Sequence, residues 1–542
     1  MKSTATIFLT CILLWQFSSC KSDPTTATPN KKDARPNIVF IMSDDHAYQA
    51  ISAYSERLIQ TPNIDRIAQE GMLFTNASVT NSICAPSRAT ILTGTFNHIN
   101  GKIDNRMPFD TTQMTFPQLF QDAGYQTAMF GKLHFGNNPK GIDDFMILPG
   151  QGSYLNPRFI TNTGDTIIEG YVTDVITDQT LNWLEKKRNP NQPFMLMYLH
   201  KAPHRPWWPS PEKMKIFSKK TFPEPETLFD DYTGRGTAAK TAEMNIFTHM
   251  MYHHDSKIRP ETIQEMGGVT PVVRDVKNGF TGIYNRATDE QRALYDPIID
   301  SINTDFKTHW PQLSDREKMQ WKYQRYMQDY LGTIASVDEN VGRVLDYLDE
   351  QKLTENTLVV YTSDQGFYLG EHGWFDKRFA YDESFKTPLM IKWPHKIKPG
   401  ITNDEMVQNL DFAQTFLEAA QIEAPKTMQG ESLIPLLTGE LDQWNRNAVY
   451  YHYYEYPAEH AVKRHYAAVT KDYKLIHFYY DIDEWELYDR KKDPQEMNNV
   501  INDPAYATVK EQMLKTLDSL RVYYKDSPDL DQQYLDITAH LD

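Results

Sequence analysis

Four short apolar runs, each followed at once by polar residues, limit the folds open to this chain more than any other feature. The runs are Asn37 to Met42, Thr127 to Phe130, Phe194 to Leu199 and Leu358 to Thr362. Because they are continuously apolar rather than alternating, they predict strands covered on both faces. Helical patterns lie between them, such as residues 64–70, 116–123 and 337–348. This alternation predicts an α/β fold with a mostly parallel sheet and helices on both faces.

The polar residues after the four runs are the first candidates for a functional site. They read Ser43-Asp44-Asp45-His46, Gly131-Lys132-Leu133-His134, His200-Lys201-Ala202-Pro203-His204 and Ser363-Asp364-Gln365-Gly366. In open sheets of this kind, ligands bind beyond the carboxyl ends of the strands. We therefore expect the four clusters to converge at one edge of the sheet.

The remaining sequence predicts a catalytic domain over residues 35–440 and a smaller C-terminal subdomain over 441–542. Residues 210–330 break the strand and helix alternation and predict a helical insertion, with one helix opening at the capping box Ser314 to Glu317. Tyr450 to Tyr454, His465 to Thr470 and Lys474 to Tyr480 carry hairpin signals. With a closing helix near residues 505–524, they predict an antiparallel sheet carrying a helix.

The N-terminus predicts export. Residues 1–20 contain an apolar core too short to span a membrane and typical of a signal peptide. The ending Phe17-Ser18-Ser19-Cys20 resembles a bacterial lipobox, with Phe17 where leucine is usual, and residues 21–34 have the composition of a tether. We expect an exported, periplasmic or outer-membrane lipoprotein of a bacterium. Once Cys20 is lipidated, the mature chain has no cysteine pair for an internal disulfide.

The charge balance restricts the partners. The 542 residues carry a net charge of −16, which argues against general attraction to nucleic acid or to anionic membranes. A membrane contact is expected only through the lipid anchor at Cys20. An anionic substrate would be repelled at long range, so cations inside the pocket must hold it.

The stretch Cys84 to Gly94, Cys-Ala-Pro-Ser-Arg-Ala-Thr-Ile-Leu-Thr-Gly, predicts a helix that begins at its cysteine. Pro86 suits the first turn of a helix, and Arg88 adds a positive charge one turn on. A helix N-terminus and an arginine beside Cys84 indicate an anion site next to a nucleophile. Taken alone, Cys84 is more often a small buried hydrophobic residue.

The pattern Cys-x-Pro-Ser-Arg followed by Thr-Gly resembles the signature of the type I sulfatases, whose cysteine is oxidised to formylglycine by a maturating enzyme. The resemblance implies an alkaline-phosphatase-like fold and a formylglycine derived from Cys84. It also implies a sulfated sugar as substrate and a sulfatase-maturating enzyme as partner.

Asp44, Asp45, Asp364 and Gln365 offer hard oxygen ligands that suit Ca²⁺ or Mg²⁺ better than zinc. A lone Ser-Asp after a strand is usually a turn or a helix cap, but here the pattern occurs twice. The four residues, with residue 84, resemble the sulfatase calcium site. The family often has Asn or His where this chain has Gln365.

The resemblance assigns catalytic roles to Cys84, Arg88, Lys132, His134, His204 and Lys377. It implies that a hydroxyl of hydrated formylglycine attacks sulfur while Ca²⁺, Arg88, Lys132 and Lys377 offset charge on the sulfuryl oxygens. His204, with Lys377, would protonate the leaving alcohol. His134 would then remove a proton so that sulfate departs and the aldehyde is restored.

Asp376 and Arg378 flank Lys377 and are candidates for binding sugar hydroxyls, although a structural ion pair is an equal alternative. Residues 200–206 and 229–240 look most like bacterial sulfatases that act on the 6-O-sulfate of N-acetylglucosamine. That likeness implies an exo-acting enzyme for host-type sulfated glycans, of glycosaminoglycan or mucin origin. Trp207, Trp208 and the tyrosines from Tyr450 either stack on a sugar and close its pocket or pack the protein.

Three alternatives stay open at this point. They are a sulfatase of other glycan specificity, a phosphatase or phosphonate hydrolase of the related superfamily, and an inactive relative that binds sulfated glycans.

Overall fold

A large mixed sheet forms the centre of the protein. The computed structural model describes residues 35–275 and 279–539, so the predicted signal peptide, tether and lipid anchor at Cys20 lie outside the described residues. In chain order the strands are β1 (Asn37–Ser43), β2 (Met72–Phe74), β3 (Ala77–Ser78), β4 (Gln126–Lys132), β5 (Asp144–Leu148), β6 (Arg158–Thr161), β7 (Gly164–Ile167), β8 (Phe194–Leu199), β9 (Thr357–Ser363), β10 (Tyr368–Leu369), β11 (Phe375–Asp376), β12 (Leu389–Lys392), β13 (Ile401–Asn403), β14 (Val407–Gln408), β15 (Ala448–Tyr453), β16 (His465–Thr470), β17 (Tyr473–Phe478) and β18 (Glu484–Asp489).

The helices of the described residues cover the sheet and connect its strands. In chain order they are α1 (Pro62–Gln69), α2 (Cys84–Thr93), α3 (Asn97–Asn100), α4 (Phe116–Asp122), α5 (Val172–Asn182), α6 (Pro211–Phe217), α7 (Thr237–Thr241), α8 (Pro260–Glu265), α9 (Gly279–Tyr284), α10 (Asp289–His309), α11 (Asp315–Glu350), α12 (Asp382–Phe385), α13 (Phe412–Ala419), α14 (Ile434–Thr438), α15 (Ala507–Tyr523) and α16 (Pro528–Thr538). In this part of the chain no helix has the length and apolarity needed to cross a bilayer.

The four strands predicted from apolar runs lie side by side at the middle of the sheet. The ten-stranded order is β13-β2-β12-β9-β1-β8-β4-β5-β6-β7, and β9, β1, β8, β4 and β5 pair in parallel. Antiparallel pairing by β12, β6 and β7 makes the sheet mixed toward its edges. The predicted α/β class with a mostly parallel centre is confirmed.

Both faces of the sheet are buried, and successive side chains of one strand enter the cores on opposite faces. From β1, Ile38 and Phe40 enter the core that contains α4 and α13, whereas Val39 and Ile41 enter the core that contains α1, α5 and α11. The predicted stripe Val337, Val341, Val344, Leu345 and Leu348 lies in the second core. This explains why the strand runs are continuously apolar.

The segment predicted as a helical insertion contains α6 to α10 and the first half of α11. Helix α11 begins behind the predicted capping box of Ser314 and Glu317 and continues without a break to Glu350. One helix of 36 residues therefore belongs to the insertion in its first half and packs on the sheet in its second half.

The C-terminal region forms the expected antiparallel sheet, in the order β15-β16-β17-β18. Lys471 and Asp472 make the turn between β16 and β17, and α15 packs on the sheet through Met513 and Leu517. The opposite face of the sheet shares a core with Phe379 and Phe385, which precede it in the chain. The described residues from Arg35 onward form one compact unit, and the boundary at residue 440 stays a prediction.

Candidate active site

Helix α2 presents Cys84 at its N-terminus, as the sequence predicts. Ile83 before it is extended, Cys84 is the first helical residue, and Gly94 ends the helix in the left-handed conformation at φ 62°. The N–H of Ala85 donates to Asn105 Oδ1 at 3.1 Å. The Cys84 side chain is completely buried, so the alternative role as a small buried hydrophobic residue also fits it. The charged side chains around Cys84 distinguish a functional cysteine from a purely structural one.

Three carboxylates meet beside Cys84 because β1 and β9 are adjacent and in register. Ser43 pairs with Ser363, which places Asp44, Asp45 and Asp364 at the same edge of the sheet. Oxygens of the three carboxylates lie within 4.8 Å of one another, and all three side chains are fully buried. The Cys84 thiol donates to Asp44 Oδ1 at 3.3 Å.

Three cations face these carboxylates. Arg88 donates to Asp364 Oδ2 through Nε at 2.9 Å and through one terminal nitrogen at 2.8 Å. Lys377 Nζ lies 2.8 Å from both oxygens of Asp45, and Lys132 Nζ contacts Asp44 Oδ2. Three negative and three positive groups are thus packed together out of water, an arrangement that needs every charge to be paired.

Burial and these neighbours shift the acid groups in different directions. Burial alone would raise the pKa of Asp44, but Lys132 and Arg88 hold that pKa well below its usual range. Burial and the adjacent Asp44 raise the pKa of Asp364 to about 7, against the effect of Arg88. Burial, with Asp44, also raises the pKa of the Cys84 thiol. The unmodified thiol is therefore protonated and a poor nucleophile.

The donor set fits a hard divalent cation. Three carboxylates converge, and the amide oxygen Oε1 of Gln365 is buried with no hydrogen-bond partner in the described part of the chain. The amide nitrogen of Gln365 contacts Asp45 and lies 3.7 Å from Cys84 Sγ. Gln365 could serve as an oxygen ligand only with its Oε1 turned toward the carboxylates.

Two histidines border the cluster. His204 Nδ1 donates to the carbonyl of Arg205 at 2.5 Å, which leaves Nε2 unprotonated in the neutral ring and 3.8 Å from Asp45 Oδ2. His134 has φ 67°, and its buried Nδ1 has no hydrogen-bond partner among the described residues. Burial and the charge of Lys132 hold the pKa of both histidines well below the usual range. Both rings are neutral in this arrangement.

A pocket of about 620 Å³ opens onto the cluster. Lys377 and His204 belong both to its lining and to the cluster. Loops from several regions form the wall, with Asn105, Arg106, Gln151, Lys201, Arg205, His254, Asp376, Arg378, Glu455 and Glu459 among its residues. The pocket is therefore a route by which a substrate group would approach Cys84.

Asp376 and Arg378 stand in the pocket wall and form an ion pair with each other. Asp376 Oδ2 also lies 3.2 Å from His460 Nε2, and Arg378 lies 3.7 Å from Glu455 Oε1. Both have left-handed backbones, at φ 75° and 99°. Strain of this kind persists where the surrounding structure holds a side chain in place for a function. The structure shows the ion pair and places both side chains in the pocket wall, and their binding of sugar hydroxyls stays a prediction.

The aromatic residues proposed for sugar stacking pack the protein instead. Trp207, Trp208, Tyr450, Tyr451 and Tyr453 are at most 1% exposed. Trp207 and Trp208 lie in hydrophobic cores, so the packing alternative holds for their side chains, and closure of the pocket by this segment stays a prediction. Their nearness to the site in the sequence suggested a sugar contact, but their side chains fill hydrophobic cores.

Sequence reasoning missed three polar residues at the site. Gln151 contacts Lys132 from the pocket wall, His460 lies against Asp376, and Lys201 lines the pocket. Gln151 and His460 carry no motif. Lys201 stands inside a motif that was recognised, and its lack of a hydrogen-bond partner in the described structure is visible only in three dimensions.

Comparisons with known proteins agree with this geometry. A family model described as Sulfatase matches residues 36–422, and one described as N-sulphoglucosamine sulphohydrolase, C-terminal, matches residues 370–523. The chain is 47% identical to an N-acetylglucosamine-6-O-sulfatase of Bacteroides thetaiotaomicron over 534 residues, which cover 97% of this chain and 92% of the relative.

Solved structures are similar over the same extent. One, in complex with its substrate D-glucosamine-2-N,6-O-disulfate, has a TM-score of 0.87 at 47% identity and covers 92% of this chain and 100% of its own. A phosphonate monoester hydrolase from Silicibacter pomeroyi has a TM-score of 0.64 at 20% identity, covering 90% and 95%. The second likeness extends to the fold alone.

Proposed function

The chain belongs to the sulfatase family, and we propose that it removes the 6-O-sulfate of terminal N-acetylglucosamine in host-type sulfated glycans. One observation carries this proposal. The buried cluster around Cys84 adjoins a pocket whose wall holds Asp376 and Arg378, so a cation-lined base and a polar wall are continuous. The relative of 47% identity, named for this reaction, supports the choice of substrate.

Formylglycine formed at position 84 by a sulfatase-maturating enzyme would supply a hydroxyl nucleophile, and Ca²⁺ held by Asp44, Asp45, Asp364, Gln365 and residue 84 would supply positive charge. Residue 84 is well placed for this because α2 directs it at the carboxylates. The high thiol pKa of Cys84 supports the view that the cysteine itself is not the working nucleophile.

Arg88, Lys132 and Lys377 would hold the sulfuryl oxygens. They are at most 3% exposed, so their charges act in a site with little water. Lys132 and Lys377 contact carboxylates in this structure and would turn toward the incoming sulfate.

His204 and His134 would move the protons. The Nδ1 bond to the Arg205 carbonyl fixes the ring of His204 with Nε2 toward the cluster, where it would hand a proton to the leaving oxygen. Bound sulfate would raise the low pKa of His204, because an anion nearby favours the charged ring. His134, neutral and without an Nδ1 partner among the described residues, would accept a proton in the release of sulfate.

Asp376 and Arg378 would bind hydroxyls of the terminal sugar. A glycosidic bond at those hydroxyls would remove the partners and leave a buried pair of charges short of hydrogen bonds. This supports exo action at a chain end. We further propose that the protein is exported and works in the periplasm or as an outer-membrane lipoprotein.

The test joins two measurements on protein produced together with a maturating enzyme. Mass spectrometry of the peptide containing residue 84 reports the conversion of cysteine, and sulfate release is compared among sulfated sugars. We expect 6-sulfated N-acetylglucosamine to be preferred over 6-sulfated N-acetylgalactosamine, 2-sulfated uronic acid substrates and internal sulfates. Preference for another sulfated sugar would overturn the specificity, and binding without turnover by converted protein would indicate an inactive relative.

A further inference from the structure

Lys201 is a buried cation that the proposed mechanism leaves without a task. It is the second residue after β8, on the loop that carries His204, and it is 1% exposed. Its ammonium has no hydrogen-bond partner in residues 35–275 and 279–539, and it lies 4.7 Å from the centre of the Tyr154 ring. A buried ammonium that lacks hydrogen bonds is unfavourable, so such groups mark places where a ligand or water completes the bonding.

Two other buried lysines show what a purely structural lysine looks like in this protein. Lys257 Nζ lies 2.6 Å from Asp329 Oδ2 and 2.6 Å from the Trp207 carbonyl. Lys322 Nζ donates to the carbonyls of Phe247 and Met250 at 2.9 and 2.7 Å. Burial lowers the pKa of Lys322 and of Lys201 to about 7 alike. The two lysines therefore have the same lowered pKa and differ in their hydrogen bonds. Lys322 has two carbonyl partners, and Lys201 has none in the described part of the chain.

The position of Lys201 indicates which substrate group it would meet. Lys201 lines the pocket beside Gln151 and His204, and Gln151 in turn contacts Lys132 of the cluster. The sugar-binding candidates Asp376 and Arg378 belong to a different loop of the wall. A side chain that is 99% buried is reached only by a group that enters deeply, and the sulfate directed at the fully buried Cys84 is that group.

We propose that Lys201 is a further substrate-binding residue, whose ammonium donates a hydrogen bond to a sulfuryl oxygen of the sulfate ester that is cleaved. This inference rests on the proposed sulfatase reaction and adds a fourth cationic donor to Arg88, Lys132 and Lys377. A neutral sugar hydroxyl would satisfy the hydrogen bond but not offset the charge, whereas a sulfate oxygen does both. The enzyme keeps an unfavourable buried charge because the sulfate compensates for it on binding.

The experiment replaces Lys201 by methionine, which has a similar shape and no charge, in calcium-loaded protein with converted residue 84. Inorganic sulfate is the probe, and its affinity is measured by calorimetry and by product inhibition. A charge-assisted hydrogen bond corresponds to about a 10- to 100-fold change in affinity. We expect losses of that size in sulfate affinity and in kcat/KM, equal for 6-sulfated N-acetylglucosamine and for D-glucosamine-2-N,6-O-disulfate.

Thermal unfolding distinguishes this role from a structural one. Lys201→Met removes an uncompensated buried charge, so its Tm should equal or exceed that of the unaltered protein. Lys322→Met is the matched control. It leaves two buried carbonyls without a donor and should lower Tm, while sulfate affinity measured well below that Tm stays within about twofold.

Three results would overturn the proposal. They are unchanged sulfate affinity in Lys201→Met, a loss confined to the N-sulfated substrate, and a Tm that falls as it does in Lys322→Met. Failure of the unaltered enzyme to act on 6-sulfated N-acetylglucosamine is a separate result. It would refute the proposed specificity, and the calorimetric comparison with inorganic sulfate would still decide the role of Lys201.

Discussion

Replacement of Asp376 by alanine separates a sugar-binding role from a purely structural one. Asp376 is 5% exposed, lines the pocket and pairs with Arg378, with His460 Nε2 3.2 Å from its second oxygen. If its carboxylate accepts a hydrogen bond from a sugar hydroxyl, alanine removes a charged hydrogen bond. Such bonds contribute about 1.5–3 kcal/mol, which corresponds to a loss of about 10- to 150-fold in kcat/KM.

Asp376→Asn supplies the intermediate step. Asparagine keeps the shape and one acceptor oxygen but replaces a charged hydrogen bond by a neutral one of about 0.5–1.5 kcal/mol. We therefore expect Asp376→Asn to lose about 5- to 13-fold in kcat/KM, less than Asp376→Ala. A graded series of this kind is expected from a direct contact and not from collapse of the loop.

The assay compares 6-sulfated N-acetylglucosamine with 6-sulfated N-acetylgalactosamine, which differ only in the orientation of one hydroxyl. The two variants should lower kcat/KM for the first sugar much more than for the second, so that the selectivity falls toward unity. Equal losses on both sugars would refute a sugar contact and leave Asp376 and Arg378 as a structural ion pair.

Stability measured against pH controls for the ion pair. Burial alone would raise the pKa of Asp376, but Arg378, Lys377 and His460 hold it well below the usual range. A carboxyl whose pKa is depressed by folding stabilises the protein above its unfolded pKa of about 4, and this contribution is lost as the pH falls through the folded pKa. The stability difference between the unaltered protein and Asp376→Asn should therefore shrink below about pH 4. A constant difference would mean that the pairing does not stabilise the fold.

Three further predictions concern other parts of the site. Cys84→Ala should abolish turnover while Tm and sulfate binding are kept, and Cys84→Ser should be rescued only by a maturating enzyme that accepts serine; normal turnover by Cys84→Ala would contradict the assigned nucleophile. Chelation should remove activity and added Ca²⁺ restore it, whereas Asp364→Asn should not recover at Ca²⁺ levels that saturate the unaltered enzyme; activity that survives chelation would argue against a metal. Gly131→Ala should destabilise the fold by about 3 kcal/mol or more, because the new Cβ would lie 1.7 Å from the Leu199 carbonyl oxygen. Gly136→Ala has open space around it and should destabilise the fold by only about 1 kcal/mol. Similar denaturant midpoints for the two variants would refute the close contact between β4 and β8 at Gly131.

The convergence of Asp44 with Asp364 could be predicted because both follow buried strands of one parallel sheet. The strand order β9-β1-β8-β4 explains why four distant motifs meet, since the carboxyl ends of neighbouring parallel strands share one edge. The role of Lys377 was implied only by the family resemblance. It follows the short strand β11, outside the large sheet, and no periodicity places that hairpin against Asp45.

Other features left no trace in the sequence pattern. Left-handed backbones occur at Asp45, His134, Asp376 and Arg378, and because only a few per cent of non-glycine residues adopt this conformation, composition does not predict which ones do. The partners of a buried lysine are equally invisible, because Lys201 and Lys322 have the same residue type and comparable burial in different surroundings. Tertiary contacts decide both, and they depend on loops that lie far apart in the chain.

Two charge balances determine how such an enzyme would bind an anion. One is the net charge of −16 of the whole chain, and the other is the equal number of carboxylates and cations in the cluster around Cys84. The net negative charge opposes the long-range attraction of sulfated chains. In the cluster, three carboxylates already match Arg88, Lys132 and Lys377, so these cations alone leave no excess charge for a sulfate. A divalent cation beside the carboxylates would free the two lysines and create that excess, and an ammonium without a carboxylate partner, such as Lys201, would add to it. Binding of metal and of sulfate should therefore be cooperative, and because the interacting charges are buried, the coupling should depend weakly on salt.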